Sequence, residues 1–105
     1  DRCRNRMVQV GSEVMKFQNR YEMDVDGIIC PVDGQSIKYN LVFKTGDKIE
    51  VETMLEWIEE QKSTPMLQED FARKFAEHWF APVLRDHLIV TGVHSGVHIT
   101  SEVTS

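Results

Sequence analysis

Cysteine is scarce: Cys3 and Cys30 are the only thiols in 105 residues. Cys3 lies in a polar terminus and would reach Cys30 only if that arm folded back, so no structural disulfide is expected. No apolar run is long enough for a signal peptide or a membrane span, which leaves the cytoplasm as the expected compartment and no membrane as partner. Positive charge is also short. The 12 Lys and Arg residues face 17 Asp and Glu, for a net charge of -5, which argues against a broad phosphate-binding surface and hence against nucleic acid. Arg2, Arg4 and Arg6 read as a solvated tail. A phosphate-cradling glycine loop and a dinucleotide fingerprint are both missing, as are internal repeats, low-complexity tracts and linkers. What remains is one domain over residues 1–105, with residues 1–12 as a flexible or peripheral N-terminal arm. The chain opens on Asp1 rather than methionine, so a native start further upstream is expected.

The first third reads as strand. Between Val14 and Ile29 the apolar residues partly alternate, with Met15, Phe17, Tyr21, Met23, Val25 and Ile28 as candidate inward positions. Pro31-Val32-Asp33-Gly34 is a turn, and Ile37, Tyr39, Leu41 and Phe43 then keep the period of a half-buried strand. Thr45-Gly46-Asp47-Lys48 predicts a second hairpin turn leading into Ile49-Glu50-Val51. Helical spacing begins next, with Val51, Met54, Leu55 and Ile58 on one face and Glu56, Glu59 and Glu60 as a wet opposite face. A second helix is predicted to start at Pro65, capped by Ser63 or Thr64, with the stripe Leu67, Phe71, Phe75, Trp79 and Phe80, ending near Pro82. Two strands, His87 to Val93 and Val97 to Val103, close the chain around Ser95-Gly96. Strands, two helices, strands: the fold class is α+β, an antiparallel sheet with both helices on one face. The other face is left to solvent or to a second subunit.

Cys30 is the chief candidate for chemistry, because it sits beside a tight turn where a thiolate can be exposed and tuned. Spacing alone favours a small buried strand-end residue instead. Glu69 opens the second helix, where an acid commonly serves the dipole. His94 and His98 suggest a metal, but a two-residue turn pairs His94 with Val97 and His98 with Val93. The two rings then point to opposite faces of the sheet, and no metal site is expected. His78 reads as a solvent-facing residue beside a core Trp79.

Several segments nevertheless fit one pattern. Cys30-Pro31-Val32-Asp33-Gly34-Gln35 matches a Cys-Pro-x-x-Gly-Gln motif, Val51-Glu52-Thr53-Met54-Leu55 is similar to a Val-Glu-Ser-Lys-Ser-Leu junction, and Leu67-Gln68-Glu69-Asp70 is similar to Phe-His-Glu-Asp. Val90-Thr91-Gly92 falls where a comparable strand ends in glycine. Over Asp26 to Thr100 the chain thus resembles the nitrile reductases of 7-cyano-7-deazaguanine, a family of the tunnelling fold. Of these motifs the cysteine motif is the specific one. The resemblance implies a ββααββ fold, Cys30 as the nucleophile that forms a thioimide with a nitrile, Glu69 as the carboxylate that holds the heterocycle, and Glu52 as a secondary pocket residue.

The chain also departs from that pattern. Seven positions after the cysteine, where the family has a proton-relaying aspartate, stands Ile37, and Asp33 inside the turn is a poor replacement. Gln68 replaces the histidine before the recognising glutamate, and His94-Ser95-Gly96 replaces an Arg-Gly-Gly turn that serves the dinucleotide. These changes argue against reduction by NADPH, and no cofactor is assigned. The expectation is therefore a homo-oligomer with an intersubunit pocket for a small deazapurine- or pterin-like heterocycle. The alternative is a non-catalytic binding or assembly module in which only the fold is kept.

Overall fold

The computed structural model describes residues 8–10, 13–15, 17–82 and 85–105. Strands β1 (Val8–Val10) and β2 (Glu13–Met15) pair with each other as a separate two-stranded sheet. Otherwise the N-terminal arm, Cys3 included, lies outside the described residues. The main body runs β3 (Asn19–Ile29), β4 (Ser36–Thr45), α1 (Val51–Gln61), α2 (Gln68–Trp79), β5 (His87–His94) and β6 (Val97–Thr104). The four strands form an antiparallel sheet in the order β3-β4-β5-β6. The expected α+β class and ββααββ order are therefore present. No helix among the described residues is long and apolar enough to cross a membrane.

Alternation dictates the inner face. Ile37, Tyr39, Leu41 and Phe43 of β4 are buried, and Leu88 and Val90 of β5 meet them across the register pairs Phe43↔Leu88 and Leu41↔Val90. Met54 and Ile58 from α1 and Phe71, Ala72 and Phe75 from α2 close the same core. Phe43 is its aromatic centre, with Phe75 edge-on at 5.1 Å and Phe80 stacked at 5.8 Å, arrangements worth about 0.5–1.5 kcal/mol each beyond area burial. Val51 and Leu55, expected on the inner stripe of α1, are 44% and 45% exposed. The stripe that packs is Met54 and Ile58, with Trp57 half-buried over Phe71 and Phe75.

The structure corrects two expectations about connections. After β4 the chain makes no hairpin. Ile49 instead donates its N–H to the Tyr21 hydroxyl at 2.9 Å, and Asn19 Nδ2 donates to the Asp47 carbonyl at 3.3 Å, so residues 46–50 are latched to β3 and lead straight into α1. The second helix starts at Gln68 rather than Pro65, behind Leu67 in extended conformation. The Met66 N–H donates to the Ile29 carbonyl at 3.0 Å, which holds this stretch out along the end of β3 and delays the first helical turn.

On β3 the odd residues Tyr21, Met23 and Val25 turn inward, and then Ile28 does. The register explains the change of parity: Val25 faces Tyr39 but Ile28 faces Ile37, so β3 spends three residues where β4 spends two. The extra residue is a bulge at Asp26-Gly27, with Gly27 at φ +99, a conformation glycine adopts freely and side chains resist.

Candidate functional site

Because of that bulge, Cys30 falls on the helix-facing side of the sheet. Its backbone is fixed on both sides, with Cys30 N–H donating to the Gln35 carbonyl at 2.8 Å and Gly34 N–H to the Cys30 carbonyl at 2.9 Å. The thiol is buried and free. Inside the turn, Asp33 folds back so that its Oδ1 accepts the Gln35 N–H at 3.0 Å, the local bonding that aspartate favours in turns.

The facing wall comes from the start of α2. Met66 is tied to β3 as described, and Gln68, 7% exposed, reaches down onto the sheet. Its Nε2 donates to the carbonyls of Val90 (2.9 Å) and Ile99 (3.0 Å) and approaches Ser101 Oγ (3.2 Å). Room for this side chain exists because residue 92 is glycine. A Cβ there would lie 2.7 Å from Tyr39 Cδ1 and 2.8 Å from Gln68 Oε1. Pinning Gln68 fixes the first turn of α2 and with it Glu69, whose side chain is exposed.

Between the walls lies a cavity of about 210 Å³, lined by residues that include Cys30, Ile37, Tyr39, Met66, Glu69 and His94. Apolar atoms dominate its surface, and Cys30, Tyr39, Gln68, Glu69 and His94 are the residues in its lining that carry polar groups. Sites for drug-sized ligands run to roughly 300–1,000 Å³, so this cavity is smaller than those. Tyr39 stacks on Phe71 at 5.8 Å and forms the floor. Burial raises its phenol above the ordinary pKa of 10.0, and negative charge at Cys30 and Glu69 raises it further, so it stays a neutral donor.

Asp33 joins two of the lining residues. Its Oδ2 lies 2.8 Å from His94 Nε2, and the Cys30 thiol is close to the same carboxylate. The Asp33 carboxyl is held below its ordinary pKa of 3.8 chiefly by the Gln35 N–H; burial opposes this, and His94 and Cys30 add smaller lowering effects. Ligand atoms of Cys30, Asp33 and His94 all lie within 4.8 Å of one another. A thiol, a carboxylate and a partly exposed imidazole are thus brought together.

The sequence-derived candidates are distributed as follows. Cys30 and Glu69 share the cavity, within one chain. Glu52 does not join them: it is exposed in the first turn of α1, where an acid complements the helix dipole. The hairpin register pairs His94 with Val97 and Val93 with His98, as the two-residue turn requires, so His98 is on the far face. Two further residues gather at the thiol. Asp33, a poor replacement for a relay acid by its sequence position, lies near the Cys30 sulfur, and His94 does so without His98. The Asp33 signal was its place three residues after Cys30 in a turn that bends back on itself. His94 had no local signal, because 61 residues separate it from Asp33.

Compared with known proteins, the chain matches no family model, no curated protein and no solved structure.

Proposed function

We propose that this chain binds a planar deazapurine- or pterin-like heterocycle in the Cys30 cavity, and that Cys30 adds to an electrophilic carbon on its rim, a nitrile above all. The observation that carries the reading is the meeting of Cys30 and Glu69 in one cavity, with a carboxylate oxygen of Asp33 within 4.8 Å of the thiol sulfur. The ring lies against Tyr39, Ile37 and Met66, and Glu69 accepts its N–H groups. Asp33 takes the thiol proton, the sulfur adds to the nitrile carbon, and the released π pair goes to nitrogen, which takes the proton from Asp33. One C–S bond forms, nothing leaves and nothing is oxidised or reduced; the product is a thioimide. The reading stops at this adduct and assigns no hydride donor, so reduction by NADPH is no part of it.

Intact-mass measurement after incubation with 7-cyano-7-deazaguanine tests the proposal. The expected result is a gain equal to the whole ligand in the native chain and none in Cys30→Ala. No gain, together with no saturable binding by calorimetry, overturns it.

A second reading, a homo-oligomeric assembly or binding module without catalysis, is favoured by apolar exposure around the mouth of the site. Val32 is 79% exposed in the Cys30 turn, and Val97, which shares the His94 face across the β5-β6 turn, is 60% exposed. A second subunit seated there would complete the cavity wall. Native iodoacetamide labelling separates the readings: a pocket nucleophile reacts faster than free cysteine at neutral pH, and a packing thiol barely reacts.

A further inference from the structure

We propose that Cys30, Asp33 and His94 form a three-ligand site for a zinc-class divalent ion, with the fourth coordination position open to the cavity. The three donors are a thiol sulfur, a carboxylate oxygen and an imidazole nitrogen, all within 4.8 Å of one another. Tetrahedral zinc with bonds of about 2.0–2.3 Å places its ligand atoms roughly 3.3–3.8 Å apart. The His94–Asp33 contact of 2.8 Å has to open slightly and the widest separation to close by about 1 Å, which are side-chain rotations. The backbone need not follow.

Donor chemistry selects the ion. Thiolate and imidazole suit zinc, whereas magnesium and calcium require oxygen donors throughout. One thiolate, one carboxylate and one neutral imidazole also balance a dication, so the loaded site carries no net charge into a partly buried location. Support around the ligands is already in place. The Gln35 N–H holds Asp33 Oδ1 at 3.0 Å and leaves Oδ2, now against His94 Nε2, to turn onto the ion, the kind of outer contact that orients metal-bound carboxylates. Cys30 and Asp33 come from one tight turn and His94 from the end of β5, so two hairpin ends present the three ligands. Cys30 and His94 both line the cavity, which puts the open position on that side, and the far-face His98 cannot fill it.

This inference does not depend on the heterocycle. A metal ion and an electrophile compete for the same sulfur, so loading with zinc withdraws Cys30 from addition. Adduct formation is therefore measured with chelator present, and the two proposals can fail separately.

The experiment uses the full chain carrying Cys3→Ala, which leaves Cys30 as its one thiol. It is reduced, stripped with chelator, and titrated with zinc chloride by calorimetry and with cobalt(II) by visible absorption. One ion per chain is expected, with the strong bands of four-coordinate cobalt and a thiolate-to-cobalt charge-transfer band. Cys30→Ser removes that band, His94→Gln and Asp33→Asn each weaken zinc at least tenfold, and His98→Gln changes nothing. Thermal melts without metal establish that each variant is folded, and if one is not, the cobalt spectrum of the parent chain decides. No saturable zinc binding, a six-coordinate spectrum without a thiolate band, or full affinity in His94→Gln overturns the proposal.

Discussion

Replacing Gln68 by methionine keeps the length of the side chain and removes its polar end, and the structure allows the consequence to be sized. The Nε2 group serves two main-chain carbonyls, Val90 at 2.9 Å and Ile99 at 3.0 Å, at a residue that is 7% exposed. Each such bond contributes about 1 kcal/mol net, and a buried acceptor left without its partner costs about 1–3 kcal/mol. Because these carbonyls belong to paired strands and keep part of their bonding in the ladder, we take the lower end for both, which gives a loss of about 2–4 kcal/mol. A domain of this size holds only about 5–15 kcal/mol in total, and each kcal/mol moves the melting point by roughly 4–8 °C. Gln68→Met should therefore melt about 8–32 °C lower and lose stability in urea at unchanged slope. The first turn of α2 also loses its tie to the sheet, so Glu69 is no longer held over Cys30, and heterocycle binding should weaken even at temperatures where the variant is folded. A loss below about 0.5 kcal/mol, the range of ordinary surface substitutions, would refute the claim that Gln68 anchors the helix.

Gly92→Ala should cost about 1–3 kcal/mol by overpacking, since its Cβ would meet Tyr39 Cδ1 at 2.7 Å and Gln68 Oε1 at 2.8 Å; a urea midpoint equal to that of the native chain would contradict it. Glu69→Gln, at an exposed position, should leave stability within about 0.5 kcal/mol while weakening the heterocycle roughly ten- to a hundredfold through loss of a charged acceptor, read by calorimetry. The Asp33 carboxyl lies below its ordinary value of 3.8 in the folded chain, so the native state favours the ionised form. Its contribution is complete above that value and is lost as pH falls below it. The stability difference between the native chain and Asp33→Asn should therefore hold at neutral pH and shrink as pH falls below about 3.8, and a difference that ignores pH would show that Asp33 is not held by these bonds.

The parts of the fold governed by local period were legible in the sequence. Ile37, Tyr39, Leu41 and Phe43 alternate and are all buried, Met54 and Ile58 recur at helical spacing and face the core, and Ser95-Gly96 makes the predicted turn with the predicted pairing. Legibility ended wherever a distant group captured a backbone N–H. Residues 63–69 satisfy the rules for a helix start at more than one place, and the Ile29 carbonyl, by binding Met66, selects the later one. The Tyr21 hydroxyl does the same at Ile49, turning an expected hairpin into a latched crossing. At the site, the cysteine motif located the thiol and the helix start located Glu69. The Asp33–His94 contact depends on two hairpins from opposite ends of the chain coming to rest side by side, which no local pattern encodes.

The bulge at Asp26-Gly27 ties these observations together, because it decides on which side of the sheet the thiol appears. Side chains alternate along a strand with a strict period of two, so a single inserted residue moves everything after it to the other face. Without the insertion, the inward series Tyr21, Met23 and Val25 would continue to Gly27 and Ile29, and Cys30 would face away from α1 and α2. With it, Ile28 enters the core opposite Ile37 and Cys30 follows into the cavity under Met66 and Glu69. Gly27 suits this place twice over, by its φ of +99 and because a Cβ would press on the Lys62 side chain at 3.3 Å. A strand that served only to close the sheet could run regularly to its turn. The irregularity here loses ladder pairing at Asp26 and Gly27 and in return turns one thiol inward, towards a carboxylate, an imidazole and the cavity beside α2.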